Sequence, residues 1–523
     1  MKWRKSFLLF MLFVSMIASM VACAPIQSET PDDPSNRTYK EDMNVRVIPV
    51  AKDVQSKGRG ILYQATITPS DSFQGAIDSF VSYSQILGIS FVQEQDGEIS
   101  VTKDDSAAKG DYRLVINQSG VAIFAADMSG VNHAFASLLQ MIEVGPGKDA
   151  FYAPECTITD GADTDYRGMM VDVSSGWLYD VSYIKSYIDM CYFYKMSVLH
   201  LHLSDNESYC IPSDAYPNLN TKETSYTKEQ IAEIVAYAEA RGVELMPEIE
   251  APGHSLVFQN AYPELFGKGI IHLHEDSVEA VRTLIREICT LFPYSDYIHV
   301  GGEEADIKQW TTCKDCRAYA RDHGFNVAMK DKDLLAEQYL GYFINEMANV
   351  VKDCGRQPVA WEAFRKGAND YVSKDVIVMS WENYYQTTPD LIAAGFKVIN
   401  CTWTPLYVVA PYQHWTTQEI FNWDIYKWQP VHPNSPYLNT GLEIEPTDVV
   451  LGGQMSAWSG NSMTEYYPSI ADGMKAQRDL LIERIPYLAQ NTWNVEKNTT
   501  YNDLSKQVQV LNAKLYQLIG KAA

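Results

Sequence analysis

The stretch Gly301-Gly302-Glu303-Glu304 sets two carboxylates side by side behind two glycines. Adjacent residues of a strand point to opposite faces. Both acids can serve one site only where the strand stops or twists, which glycines permit. Two carboxylates held close resist joint ionisation, so one is expected to keep its proton to higher pH. A carboxyl that is protonated near neutrality can act as a general acid. Other acids and aromatics also end short apolar runs: Asp205, Glu248 and Glu250, Trp361 and Glu362, Trp381 and Glu382, Trp403 and Tyr407, and Trp458. Brought together, they make an acidic pocket with flat apolar walls. Such a pocket can protonate a leaving oxygen, balance an oxocarbenium-like centre and stack a sugar face, which is the chemistry of glycosidic cleavage.

The elements that must position these residues are legible as alternation. Apolar runs recur at 168–173, 198–205, 243–250, 297–304, 358–364, 376–382, 397–403 and 449–458. Between several of them lie amphipathic helices, marked by Val181, Ile184, Ile188 and Cys191, by Ile231, Ile234, Val235 and Ala238, and by Val278, Val281, Leu284, Ile285 and Ile288. Eight strand–helix units imply an α/β chain with a (β/α)8 barrel over 161–490, whose active site forms where the strands end. A small α+β domain is expected over 44–160, with strands at 45–50, 61–67 and 112–116 and helices at 79–87 and 130–142. A helical extension follows over 491–523.

Lys2, Arg4 and Lys5 precede an apolar run from Phe7 to Val21, then Ala22 and Cys23. This resembles a bacterial lipoprotein signal over 1–22, with Cys23 lipidated, residues 23–43 as a flexible tether, and the protein exported and anchored to the cell envelope. With 42 basic and 66 acidic residues the net charge is −24, which argues against nucleic-acid partners. Cys313-x-x-Cys316 is half of a zinc pattern with no second half nearby, and reads as a local disulfide or two free thiols. No metal or organic cofactor is implied.

Four ordered stretches carry a resemblance. They are Arg167-Gly168-Met169-Met170-Val171-Asp172, His200-Leu201-His202-Leu203-Ser204-Asp205, Pro247-Glu248-Ile249-Glu250-Ala251-Pro252-Gly253-His254, and His299-Val300-Gly301-Gly302-Glu303-Glu304. With Trp361-Glu362, Trp381 and Leu451-Gly452-Gly453-Gln454 through Trp458, they resemble the β-N-acetylhexosaminidases of glycoside hydrolase family 20. Residues 110–142 are similar to that family's preceding non-catalytic domain. The resemblance implies a retaining exo-hydrolase that removes terminal β-linked N-acetylhexosamine from glycans. The substrate's own acetamide oxygen acts as nucleophile and gives an oxazolinium intermediate. It implies that Glu304 is the acid/base, that Glu303 polarises the acetamide, and that Tyr407 bonds the acetamide oxygen. Trp361, Trp381 and Trp458 would wall the sugar, Arg167 would grip a ring hydroxyl, and Asp205 with His254 would support Glu304.

The chain also departs from the family pattern. Glu303 and Glu250 stand where Asp is usual. The extra methylene of Glu303 moves its carboxylate by more than about 1 Å on an unchanged backbone, and such a misplacement costs on the order of 100-fold in rate. Tyr209-Cys210 replaces Trp-Arg, and Val409 and Gly460 replace carboxylates that bind the O4 and O6 side of the sugar. That side is expected to be open, or completed by the 404–445 segment with Trp415, Trp423 and Trp428. Two alternatives stand beside the hydrolase: a surface glycan-binding lipoprotein with weak or no catalysis, and a glycosidase using Glu248 or Glu382 as a true nucleophile.

Overall fold

The computed structural model describes residues 37–175, 177–221, 223–409, 415–459 and 465–520. The apolar leader, Cys23, Gly460 and the first part of the tether lie outside the described residues.

The small domain is a mixed sheet of Tyr39–Glu41, Asp53–Gln64, Ala150–Asp160, Tyr112–Asn117, Gly120–Ala125, Ile99–Lys103, Thr66–Ile67 and Val92–Gln93, in that spatial order, with Glu143–Val144 beside Ala150–Asp160. Helices Gln74–Ile86 and Met128–Met141 pack on it. The second is buried along nearly its whole length, because it also meets the barrel helix Val181–Phe193. The expected strand at 45–50 does not form. Val47 and Ile48 are buried as their apolarity requires, but side-chain amides satisfy the backbone there instead of a ladder. Gln140 takes the Ile48 N–H at 2.7 Å and donates to its carbonyl at 2.9 Å, and Gln490 takes the Val50 N–H at 2.8 Å.

The eight remaining runs form a closed parallel barrel: β1 Tyr166–Asp172, β2 Val198–His202, β3 Glu244–Glu248, β4 Tyr297–His299, β5 Gln357–Trp361, β6 Ile377–Ser380, β7 Val398–Asn400 and β8 Val450–Trp458, with β8 returning to β1. Their residues are almost all buried, as expected of strands covered on both faces. Most strands stop short of the apolar runs, and the residues left over bend away to build the site. A further strand, Tyr407–Val409, lies parallel to the end of β8 and pairs Tyr407 with Ser456 and Val409 with Trp458. Helix Lys228–Glu239 starts at a reciprocal cap between Thr227 and Gln230. Helix Glu275–Leu291 buries the stripe Val278, Val281, Leu284, Ile285 and Ile288. The last barrel helix, Ile470–Trp493, runs slightly past the expected boundary, and Tyr501–Leu518 packs on it through Leu504, Leu511 and Leu515. From this terminal helix, Lys514 donates to the carbonyls of Leu139, Gln140 and Ile142 at 2.8–3.1 Å, closing a helix end of the small domain. No described helix is long and apolar enough to cross a membrane.

The domains are joined at the base of the barrel by a buried charge cluster. Lys195 lies 3.5 Å from Asp160, both fully buried. Asp160 accepts from Trp493 at 3.0 Å and from Tyr112 at 3.2 Å. Burial lowers the Lys195 ammonium to about 8 against the pull of Asp160. Removing one partner of a buried pair leaves an uncompensated charge. Asp160→Ala is therefore expected to cost about 3–5 kcal/mol, measured as a fall in Tm, and Asp160→Asn, which keeps an acceptor for Trp493, less.

Candidate active site

The site is assembled where the strands end. After β4 stops at His299, the chain turns through Gly301 (φ +68°) and Gly302 (φ +112°). A Cβ on Gly301 would sit 2.4 Å from a Glu250 carboxylate oxygen, so glycine is required twice over, by conformation and by space. The same carboxylate takes the Gly302 N–H at 2.9 Å. The turn sends the two acids into different surroundings. Glu303 is buried, and Glu304, itself left-handed (φ +47°), keeps its side chain 53% exposed.

Their protonation follows their surroundings. Burial raises the Glu303 carboxyl to about 8, with the charges of Glu304 and Glu248 adding to it and His254 opposing. Glu304 is held below the usual carboxylate range, first by its hydrogen bond from His254. One member of the pair is raised, as expected, but it is Glu303 and not the acid assigned to proton donation. The neighbouring His254 is the group that holds a proton beside Glu304. His254 Nε2 lies 3.2 Å from Glu304 and Nδ1 lies 3.0 Å from Asp205. Burial alone would lower the His254 imidazole, but these two carboxylates push it up to about 11.

The chain of groups runs deeper than Asp205. His202 Nε2 contacts Asp205 at 3.1 Å, and His202 Nδ1 contacts Glu248 at 2.5 Å. Glu248 is fully buried and also meets His200 at 3.1 Å, His299 at 2.8 Å and the Trp361 indole N–H at 2.5 Å. His202 was not among the expected site residues, and Glu248 was expected only as one of the pocket's acids or as an alternative nucleophile. The signal was present in the spacing of His200 and His202, two apart on β2 and therefore on one face of it. His200, Glu248 and His299 bring ligating atoms within 4.8 Å of one another, but this carboxylate is already held by His202 and Trp361.

Aromatic rings wall the space beside Glu303. Trp381 and Tyr407 are stacked at 6.2 Å, Trp403 and Tyr407 at 4.2 Å, and Trp458 lies 6.4 Å from Tyr407 and 6.2 Å from Trp361. Tyr407 is buried, which raises its phenol, as does the charge of Glu303. Two further carboxylates hold the wall's backbone. Glu362 accepts the N–H groups of Trp381, Glu382, Asn383, Tyr384 and Tyr385 at 2.7–3.2 Å. Glu382 accepts those of Val431 and His432 at 2.9 Å. Glu248 and Glu382 are thus buried and tied to other groups. Ala305, which follows Glu304, lines a cavity of about 470 Å³ with Lys308, Glu337, Arg365, Tyr384 and Tyr385.

Family models match almost the whole described chain. Glycosyl hydrolase family 20, catalytic domain, matches residues 165–470, and Glycosyl hydrolase family 20, domain 2, matches residues 44–161. The chain belongs to glycosyl hydrolase family 20. A β-hexosaminidase of Akkermansia muciniphila is 30% identical over 296 residues, which cover 51% of this chain and 57% of that protein. One of Vibrio furnissii is 28% identical over 339 residues, covering 58% and 53%. The chain therefore spans about half the length of these curated relatives. A solved β-N-acetylhexosaminidase from Bacteroides fragilis superposes with a TM-score of 0.72 at 22% identity over 91% of this chain and 96% of that one, which establishes the fold.

Against the family pattern, the structure brings Glu303, Glu304, Asp205, His254, Tyr407, Trp361, Trp381 and Trp458 to one end of the barrel. Arg167 does not join them. It sits at the start of β1, at the opposite end, donating to the carbonyls of Lys195 and Thr164 at 2.9 and 2.6 Å, with its guanidinium over Trp493. Tyr209 and Cys210 are core residues with no exposed surface. The 404–445 segment reaches the site, but not with its tryptophans. Trp428 is buried and bonded to the Ser380 carbonyl at 3.2 Å, Trp423 fills the space over Gly453, and the Trp415 carbonyl accepts from Arg484. The segment instead delivers His432, stacked on Tyr384 at 3.7 Å on the Glu304 side.

The raised Glu303 carboxyl gives stability a pH dependence. Between its ordinary range and about 8 the folded chain holds this proton and the unfolded chain does not, so stability falls as pH rises through that window. Glu303→Gln is expected to flatten the decline of Tm between about pH 5 and 8, and an unchanged slope would show that Glu303 does not hold the proton.

Proposed function

We propose that this family 20 member removes terminal β-linked N-acetylhexosamine from glycans with retention, through an oxazolinium intermediate. The observation that supports this most is the chain Asp205–His254–Glu304, which ends on a half-exposed carboxylate beside a buried, aromatic-walled Glu303. The aromatic rings beside Glu303 suit a flat acetamide.

In the reaction, the substrate acetamide oxygen attacks C1 while the glycosidic C–O bond breaks. Glu304 gives its proton to the leaving oxygen. That proton rests on His254 in the free protein and crosses the 3.2 Å bond as the leaving group displaces water from Glu304. Glu303 accepts the acetamide N–H as positive charge grows on nitrogen, and Tyr407 donates to the acetamide oxygen. Glu304 then takes a proton from water, whose oxygen attacks C1 and reopens the ring. The leaving sugar occupies the cavity bounded by Tyr384, Tyr385 and Arg365.

The natural form is an exported lipoprotein anchored through Cys23, with the glycan outside. Cys23→Ser should abolish incorporation of labelled fatty acid, and persistent labelling would refute that anchor.

Turnover of an aryl N-acetyl-β-glucosaminide, and its inhibition by a thiazoline mimic of the cyclised acetamide, test the mechanism. Glu304→Gln should lower turnover of substrates with poor leaving groups by about 10²–10⁴-fold, and intact turnover would remove Glu304 from the role. Thiazoline binding without turnover in the native protein would make it a glycan-binding lipoprotein instead. Because Glu303 must ionise to take the acetamide N–H, kcat/KM should rise with pH towards about 8. A profile flat across pH 6–9 would contradict that.

A further inference from the structure

Cys313-x-x-Cys316 has no second half nearby in sequence, but the fold supplies a further ligand. His272, from the loop after β3, meets both cysteines, and the three ligating atoms lie within 4.8 Å of one another. Cys316 is fully buried and the other two are half-buried. Two backbone N–H groups are directed at the sulfurs. The Leu273 N–H points to the Cys316 sulfur at 3.3 Å, and the Cys316 N–H points to the Cys313 sulfur at 3.5 Å, where Cys313 opens helix Lys314–Asp322. The imidazole is fixed by packing over Gly267 (φ +82°), where a Cβ would come within 2.3 Å of the ring.

We infer that His272, Cys313 and Cys316 form a zinc site. Two sulfurs and one imidazole nitrogen suit Zn²⁺, which takes tetrahedral N/S sets. The fourth position falls to water. Binding displaces the two thiol protons to solvent and changes no oxidation state.

Its place gives it a purpose. The loop after β3 carries His254 and continues to His272. The loop after β4 carries Glu303 and Glu304 and continues to Cys313. The same two loops are already joined by the Trp310 indole, which donates to the Ile271 carbonyl at 2.8 Å. A metal here staples the two segments whose relative position sets the His254–Glu304 bond, while staying outside the reaction itself. The inference does not depend on which glycan is cleaved, or on whether any is.

The test is metal analysis of the purified full-length protein loaded with Zn²⁺ and desalted. One zinc per chain is expected, together with sulfur-to-metal charge-transfer absorption when Co²⁺ replaces it. Chelation should lower Tm in the native protein and leave His272→Ala unchanged. His272→Ala, which alters a half-buried loop residue, should stay folded by circular dichroism and lose the metal, and Cys313→Ser should lose the cobalt charge-transfer band. Zinc content in the native protein no higher than in His272→Ala, or a Cys313–Cys316 disulfide found by mass spectrometry of the untreated protein, would overturn the site.

Discussion

The active end of this barrel depends on a single buried carboxylate. Glu248 has no exposed surface, and charges in that position cost several kcal/mol unless they are paired. Here the pairing comes from neighbouring strand ends: His200 and His202 from β2, His299 from β4 and Trp361 from β5. The cost of burying Glu248 thus becomes a demand on strand register. If β2 or β4 slipped by one residue, a histidine would leave the interior and the carboxylate would lose a partner. The demand propagates outwards, since His202 passes the interaction to Asp205, Asp205 to His254, and His254 to Glu304. An exposed residue on a left-handed turn is in this way referenced to the rigid interior of the barrel.

The second constraint is spatial and links the two places where a longer acid stands for the usual one. Glu250 reaches into the volume that Gly301 leaves free and takes the Gly302 N–H. Its burial, together with the charges of Glu248 and Glu303, raises its carboxyl. The longer Glu250 therefore fixes the turn from which the longer Glu303 departs. A backbone adjusted by one substitution is the natural means of absorbing the other, and the two are better understood as one change than as two losses.

Much of this was legible from the chain alone. The strands sit where the apolar runs end in acids and indoles, because parallel strands buried on both faces leave a continuous hydrophobic signature. The glycine pair announced the turn at Glu303-Glu304 because few other residues accept its conformation. What stayed hidden was whatever depended on three-dimensional partners. Arg167 opens one of the four family-like stretches, yet it sits at the barrel base, since position along a strand decides which end a side chain serves. Trp423 and Trp428 belong to a segment that does reach the site, but indole area is as useful in a core as against a sugar, and composition does not separate the two. The order of the two carboxyl pKa values was also hidden. Burial sets Glu303 and a histidine 50 residues away sets Glu304.

The loop after β6 shows how such a site is held in shape. Glu362 accepts a run of backbone N–H groups from 381 to 385, and Glu382 accepts two more from the distant 431–432 segment. Each carboxylate satisfies donors that an irregular loop would otherwise leave unpaired. In doing so each fixes the rings carried on that backbone: Trp381 against Tyr407 beside Glu303, and Tyr384 against His432 on the Glu304 side. One short loop thereby sets both walls of the reacting space, and its acids act through geometry and not through their charge on the substrate. The same division runs through the whole strand-end ring. Carboxylates that are buried and fully bonded hold shape, and Glu304, the one left half open to solvent beside a protonated histidine, is the one free to exchange a proton.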